Sequence, residues 1–179
     1  MDSQDNAYVT GFTCSANFPV TPLAFQTTLH QYSCNAFATK FNPTGSGLVY
    51  STYFGGSGTD QRYSGDYGLG IAVDATGNVY VTGSTTSANF PTTPDAFQPQ
   101  PATSPSRSAF VTVLNSARSG MVYSTYLGGG SAWGQGVAVD KAGNAYVTGW
   151  TNSSSFPTTP GAFQTAEGTP PVPVGTTPS

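Results

Sequence analysis

Residues 70–84, GIAVDATGNVYVTGS, consist of two short apolar segments separated by five residues typical of a tight turn. The segments at 70–73 and 79–84 have the length of β-strands and are rich in β-branched and aromatic residues. Between them, the Asp74 carboxylate can accept backbone N–H groups, and Gly77 can adopt the positive φ that a tight hairpin needs. The stretch therefore predicts an antiparallel β-hairpin.

The same hairpin sequence recurs along the chain as part of a longer repeat. Tyr80 opens the segment YVTGSTTSANFPTTPDAFQ, which aligns without gaps with segments that begin 72 residues earlier and 66 residues later. Repetition at a long period is typical of a fold built from tandem supersecondary units. The matching blocks are YVTG…AFQ from Tyr8, Tyr80 and Tyr146, GxAVDxxGN from Gly70 and Gly136, AFxTxxN from Ala36 and Ala109, and GxVYSTYxGG from Gly47 and Gly120.

One complete repeat contains four segments of strand length, GIAVD, NVYVTGS, AFVTVLN and MVYSTYL. Four short antiparallel strands repeated in tandem are the unit of a β-propeller, in which neighbouring blades cover both faces of each sheet. The near absence of charge from these segments agrees with such burial, because a half-exposed sheet would alternate apolar and polar residues. A β-solenoid is the alternative, but its coils of ~20–29 residues are much shorter than this repeat. We expect an all-β fold of antiparallel four-stranded propeller blades.

The repeat resembles the bacterial seven-bladed β-propeller repeat family. The resemblance rests on YVTG followed by FPTTPxAFQ, on AFVTxLN, on VYSTYLGG and on AVDxxGN, and it covers the chain from Asp2 to about Gln164. It implies a place in a large secreted or surface-exposed bacterial protein, and hence an extracellular or cell-surface location. The family has no assigned catalytic residues, so the resemblance implies no enzymatic activity.

Strand counting predicts an incomplete propeller of nine strands, or about 2.25 blades. Propellers close with about 4–8 blades, so we expect this chain to pair with adjacent blades of a longer chain or with other copies of itself. Closure between copies is the less favoured arrangement, since it would supply the second strand of a blade twice. The expected units are a partial blade without its first strand at 2–56, a complete blade at 69–129, the first half of a third blade at 135–164, and a Pro-rich tail or linker at 165–179.

Composition argues against several classes of function. The chain has 5 Lys and Arg against 8 Asp and Glu, so its net charge of −3 offers no basic surface for nucleic acid. No apolar run approaches the ~20 residues of a membrane span, and residues 1–11 lack the basic and apolar regions of a signal peptide. We expect no cofactor and no metal site, because the two cysteines lack the spacing of a zinc site.

A binding face is predicted from loop lengths. The loop at 57–68 is longer than its counterpart after Gly129, and the connection from Phe97 to Ala109 is one residue longer than its copy. Both connections follow even-numbered strands and leave the same face of a blade, and variable loops on a constant scaffold mark a binding surface. The spacing of the acidic residues in the first loop matches no Ca²⁺ loop. Its acidic and aromatic residues could bind a sugar, or the segment could be a solvated loop with a local ion pair. These candidate binding residues are Asp60, Arg62, Tyr63, Asp66 and Tyr67.

Other polar and aromatic residues have structural interpretations. Asp74 and Asp140 open equivalent turns, which favours a turn-forming role over paired acid–base catalysis. His30 is the only histidine, and without a neighbouring nucleophile motif it is expected in a surface loop. Trp133 and Trp150 could form a stacking platform for glycans or fill the core or rim. The phenylalanines of each FPTTPxAFQ element are expected to plug the blade edge.

Cys14 and Cys34 are predicted to form a disulfide. Both lie in the connection between the second and third strands of the first repeat, where the other copies have Thr86, Asn152 and Arg107 instead. Two cysteines that occur together in one copy of a loop suggest a pair, and such a bond fits an oxidising compartment.

The sequence therefore favours a non-enzymatic propeller repeat module that acts as a scaffold or presents a face to a protein or glycan ligand. Two alternatives stay open. The chain could be a self-assembling structural subunit that pairs through open blade edges, or part of a propeller enzyme whose catalytic residues lie in other blades.

Overall fold

The fold is all-β. A computed structural model describes residues 1–30, 33–59, 64–102, 107–117 and 119–166, and within these ranges it contains nine strands and no helix. The strands are β1 (Ala7–Thr13), β2 (Asn35–Phe41), β3 (Leu48–Phe54), β4 (Asp66–Val73), β5 (Val79–Thr85), β6 (Ser108–Leu114), β7 (Met121–Leu127), β8 (Ala132–Val139) and β9 (Ala145–Thr151). The expected all-β architecture of nine antiparallel strands is confirmed.

The strands form three antiparallel sheets, in the order β1-β2-β3, β4-β5-β6-β7 and β8-β9. The first strand of each later sheet packs across the sheet before it, since β4 contacts β1 and β2 while β8 contacts β4, β5 and β6. The sheets therefore stack in sequence order, with the four-stranded sheet in the middle. β5 and β6 are buried along their whole length, whereas most of β9 is exposed.

The turn sequence identified at the outset closes the hairpin between β4 and β5. Asp74 Oδ1 accepts the backbone N–H groups of Thr76 at 2.8 Å and of Asn78 at 2.9 Å. Gly77 has a φ of 84°, which residues with a Cβ rarely adopt. Asp140 accepts the equivalent pair of backbone donors between β8 and β9. Both aspartates therefore carry out the turn-forming role expected from the sequence.

The first strand of each later sheet begins three residues before the expected unit boundary. β4 starts at Asp66 and β8 at Ala132, whereas the sequence placed the starts of these units at 69 and 135. The cause is a β-bulge, because the register between β4 and β5 shifts between Gly68 and Gly70, and the same shift recurs in β8. A bulge adds a residue without ending the ladder. Pairing thus continues into a segment that the sequence had assigned to the loop.

The core lies between the first and second sheets. Phe110 of β6 is fully buried, with its ring centroid 5.9 Å from that of Phe54 and 4.6 Å from that of Phe90. Phe110 is opposite Gly83 in the register of β5 and β6, and its ring atom Cε1 lies 3.0 Å from where a Cβ on Gly83 would be. A glycine in β5 thus leaves the room that the phenylalanine of β6 occupies.

The FPTTPxAFQ element covers the outer edge of its sheet. Thr93 N donates to Ser124 O of β7 at 3.0 Å, and Tyr126 N donates to Gln98 O at 3.1 Å. Such coverage protects an edge strand from pairing with another chain. Of its two phenylalanines, Phe90 is buried but Phe97 is 65% exposed. The expectation that both rings plug the edge is therefore wrong for this copy, where backbone hydrogen bonds hold the second half of the element in place. In the first copy, Phe25 does pack against the core.

Candidate ligand-binding face

The structure describes two of the five predicted loop residues. Asp60, Arg62 and Tyr63 lie outside the described residues. Asp66 and Tyr67 are the first two residues of β4, so their side chains point to opposite faces of the strand. Asp66 is completely buried. The expectation that Asp66 lies in an exposed loop is wrong, because β4 extends through its bulge as far as this residue.

The Asp66 carboxylate joins the first sheet to the second. From the first sheet it accepts the backbone N–H of Gly56 at 2.8 Å and the Asn35 Nδ2 group at 3.0 Å. From the second sheet it accepts the hydroxyls of Thr85 at 2.5 Å and Ser87 at 2.9 Å. Burial raises the pKa of this carboxyl to about 6, although these four hydrogen bonds oppose the rise. Asp66 is therefore a structural group that titrates in the weakly acidic range.

The junction between the second and third sheets lacks this carboxylate. Ala132 stands where the previous repeat has Asp66, and Ser108 stands where the previous repeat has Asn35. The backbone is equivalent, since Ala132 N donates to Arg107 O at 3.1 Å as Asp66 N donates to Cys34 O. Within the described part of the chain, the buried Ser108 hydroxyl has no hydrogen-bond partner. The two junctions thus share a backbone arrangement but only the first has a charged centre.

Arg107 lies between two aromatic rings that belong to adjacent sheets. Its Cζ is 4.9 Å from the ring centroid of Tyr67 at the start of β4 and 5.4 Å from that of Trp133 at the start of β8. Its Nη1 donates to the hydroxyl of Ser84 at 3.1 Å. Tyr67 and Trp133 occupy equivalent positions of two repeats. A guanidinium near ring faces is attracted by the ring quadrupole, so Arg107 links the two sheets at this face.

The aromatic contacts continue on both sides of Arg107. Trp133 stacks on Trp150 of β9, with centroids 4.1 Å apart and ring planes 13° from parallel. On the other side, Tyr67 makes an edge contact of 4.5 Å with Phe12 of β1. We call Phe12, Tyr67, Arg107, Trp133 and Trp150 the aromatic–arginine row. Its end members are open to solvent, with Phe12 51% and Trp150 47% exposed.

The row lies at the ends of the strands where the connections of variable length join the sheets. Tyr67 and Trp133 are second in their strands, and Arg107 directly precedes β6. Sequence reasoning named Tyr67, Trp133 and Trp150 but missed Phe12 and Arg107. Arg107 is one of only five basic residues and has no basic counterpart in the first repeat, where Cys34 takes its place. This difference between Cys34 and Arg107 at equivalent positions is the sequence signal that could have identified Arg107 as a site residue.

His30 supports the Asp66 network. Its backbone N–H donates to Asn35 Oδ1 at 3.1 Å, and its Nδ1 lies 3.1 Å from Gln26 Nε2. The residue is in a loop, as expected, but it is partly buried. Asn35 in turn donates to the Asp66 carboxylate, so two hydrogen bonds connect His30 with Asp66.

Cys14 and Cys34 are joined in a disulfide. Cys34 directly precedes β2, and its backbone forms a parallel bridge with Gly65, the residue before β4. The disulfide therefore anchors the connection between β1 and β2 close to the junction that contains Asp66.

Neither a metal site nor a membrane-spanning helix is recognised in the described ranges. No group of three or more His, Cys, Asp or Glu side chains is arranged there to hold a metal ion. The same ranges contain no helix long and apolar enough to cross a membrane.

Comparison with known families gives one match. Two segments, residues 49–91 and 122–157, match a family described as SBBP, beta-propeller repeat. Each match runs from the last strand of one sheet through the first two strands of the next, and so includes a junction between sheets. No curated protein matches the sequence.

Proposed function

We propose that this chain, which carries two repeats of the beta-propeller repeat family, is a non-enzymatic propeller module that binds a glycan on the aromatic–arginine row. The observation that carries the proposal is the placement of the Arg107 side chain between the rings of Tyr67 and Trp133. Together with Phe12 and Trp150, these residues form a continuous aromatic surface across three sheets.

The chemistry of the row suits a sugar. The C–H groups on one face of a pyranose are weakly positive and are attracted to the negative face of an aromatic ring. An arginine guanidinium adds directed donors for sugar hydroxyls or a carboxylate. The exposed half of Trp150 provides the stacking surface, and Arg107 lies on the far side of the neighbouring Trp133 ring.

The hydrogen bonds that the described polar side chains already make favour binding over catalysis. The buried Asp66 carboxylate accepts four hydrogen bonds, and Asp74 and Asp140 are held by their turns. His30 is engaged with Asn35. A nucleophilic mechanism needs a base beside a nucleophile and an orienting third group, and these residues instead stabilise junctions and turns.

An extracellular or cell-surface location is part of the proposal. The disulfide between Cys14 and Cys34 supports it, because disulfides persist in oxidising compartments.

Tryptophan fluorescence tests the proposal, because both tryptophans of the chain belong to the row. The chain is titrated with a panel of neutral and acidic oligosaccharides, and binding to at least one should shift the emission with saturation. Trp150→Ala should weaken that binding at least tenfold when measured by calorimetry. Phe163→Ala removes a fully exposed ring outside the row and should leave binding unchanged.

Two results would contradict the proposal. One is the absence of binding to every member of the panel by a chain that melts cooperatively. The other is equal affinity of the parent chain and Trp150→Ala for the bound oligosaccharide.

A further inference from the structure

Ser84 stands where the other two repeats have an aromatic ring. It is the sixth residue of β5, and the sixth residues of β1 and β9 are Phe12 and Trp150. In the third sheet, Trp150 is paired in register with Trp133, and the two rings stack. In the second sheet, the equivalent pair is Ser84 and Tyr67. Tyr67 is therefore paired with a small hydroxyl side chain rather than with a second ring.

The Arg107 guanidinium lies beside Tyr67 in place of that second ring. Its Nη1 donates to the Ser84 hydroxyl at 3.1 Å, and its Cζ lies 4.9 Å from the Tyr67 ring centroid. Ser84 is fully buried, so this hydrogen bond fixes the inner edge of the guanidinium. Trp133 of the next sheet borders the same group, with its ring centroid 5.4 Å from Cζ. One hydrogen bond and two rings thus hold the cation in a defined position.

Arg107 is the only charged member of the aromatic–arginine row. Asp66 directly precedes Tyr67 in β4, but its side chain points to the opposite face of the strand and is buried there. Arg107 is half-buried between rings of low polarity, where water and salt screen a charge less than at an open surface. The row therefore places one fixed positive charge within an apolar surface.

This arrangement favours a negatively charged sugar over a neutral one. A guanidinium carries five N–H donors in a planar fork. The fork can form two parallel hydrogen bonds with an anionic oxygen group, and such charge-assisted bonds are about twice as strong as those to a neutral hydroxyl. Because Ser84, Tyr67 and Trp133 already order the side chain, binding costs little conformational entropy.

We propose that the ligand of the aromatic–arginine row is an acidic glycan, whose charged group pairs with Arg107 while its pyranose faces contact the flanking rings. This inference rests on the glycan binding proposed above and names the chemical class of the glycan. Ser84 is then a positioning residue, because it orients the guanidinium without contacting the sugar. A uronate carboxylate and a sulfate ester both supply the anionic oxygens, and the test separates these two sources.

The test compares oligosaccharides that differ in charge, by calorimetry on the full chain. Trigalacturonic acid is measured against its neutral methyl ester, and a sulfated galactose trisaccharide against its unsulfated form. The acidic member of at least one pair should bind at least tenfold more tightly than its neutral partner. Because salt screens an ion pair, this ratio should fall when the ionic strength is raised from about 0.05 M to about 0.5 M. The pair with the larger ratio identifies the charged group.

Three variants separate the charge of Arg107 from its position. Arg107→Gln should bind the acidic and neutral oligosaccharides alike. Ser84→Ala should lower the ratio between them about threefold and leave the affinity for the neutral one unchanged, a selective effect that general destabilisation would not produce. Lys141→Gln removes a positive charge from an exposed turn beyond the opposite end of β8 and should leave the ratio unchanged. If Arg107→Gln does not fold, Ser84→Ala and the salt dependence of the parent chain carry the test.

The outcomes distinguish this inference from the proposed function. A neutral oligosaccharide that binds at least as tightly as every acidic one would overturn the acidic class and leave glycan binding intact. An acidic preference that survives both Arg107→Gln and Ser84→Ala would also overturn it, because another group would then bind the anion. Absence of binding to every oligosaccharide would contradict both proposals.

Discussion

Asp66 of β4 accepts a hydrogen bond from Asn35 Nδ2 of β2 at 3.0 Å, and so joins the second sheet to the first through a fully buried carboxylate. A buried charge is costly unless its hydrogen bonds are satisfied. Here donors from both sheets stabilise the charged carboxylate. The junction therefore depends on these particular side chains, and it is sensitive to protonation of Asp66. The next junction, with Ala132 and Ser108, has no such group.

The stability of the chain should fall as the pH rises from about 4 to about 6. Burial raises the pKa of Asp66 from 3.8 to about 6, so in this range the folded state holds a proton that the unfolded state has released. Stability from this source is complete below pH 3.8 and is lost through pH 6, by about 3 kcal/mol. Urea unfolding at several pH values measures the change.

Asp66→Asn is the matched control for this pH dependence. The amide can accept from Gly56 N and donate to the hydroxyls of Thr85 and Ser87, which can rotate to accept. We expect the variant to lose the slope between pH 4 and 6 and to be at least as stable as the parent at pH 7.5. The same slope in both proteins would show that another group is responsible.

The charged junction should be transferable to the second junction by two substitutions. Ala132→Asp alone buries an unpaired carboxylate and should destabilise the chain by about 2 kcal/mol. Adding Ser108→Asn supplies the donor that Asn35 provides at the first junction and should restore at least about 1 kcal/mol, a coupling typical of contacting residues. A double-mutant cycle by urea unfolding at pH 7 measures this coupling. Additive effects would show that the two junctions differ in more than these side chains.

Removal of the disulfide should destabilise the first sheet and its junction. Cys14 and Cys34 are separated by 20 residues, and closing a loop of this length contributes about 3 kcal/mol in the chain-entropy model. The double variant Cys14→Ser with Cys34→Ser should therefore unfold at lower urea concentration than the oxidised parent. Thiol titration of the unreduced native chain should find no free thiol, and two free thiols would contradict the assignment.

Hydrogen exchange should separate two strands of nearly the same sequence. β5 and β9 both contain Tyr-Val-Thr-Gly, but β5 pairs on both sides and is fully buried, whereas β9 pairs with β8 alone among the residues that the structure describes. Amides at 79–83 and 110–114 should exchange about a hundredfold more slowly than those at 146–149. Mass spectrometry of labelled peptides gives the comparison. Equal protection in all nine strands of a monomeric chain would show that the edge of β9 is covered.

The strands and their turns could be predicted from local sequence. Asp74 and Gly77 act within five residues of each other, and their turn chemistry is the same in every fold that uses it. The assignment of nine antiparallel strands is also confirmed. It could be made because the repeats show which segments of one unit are equivalent to those of another. The start of β4 was misjudged because its bulge depends on pairing with β5 rather than on local propensity.

The candidate site followed from contacts between sheets, which no local pattern reveals. Arg107 meets Tyr67 and Trp133 only because the second and third sheets stack against each other. Tyr80-Val-Thr-Gly and Tyr146-Val-Thr-Gly have one local sequence, yet the Phe110 ring lies close to Gly83, whereas the nearest atoms around Gly149 are backbone atoms of β8. Local propensity and turn chemistry act over a few residues and select each strand. The burial of β5, the raised pKa of Asp66 and the exposure of β9 depend on which distant strand lies alongside each of them. Only the packing of the sheets therefore determines these properties.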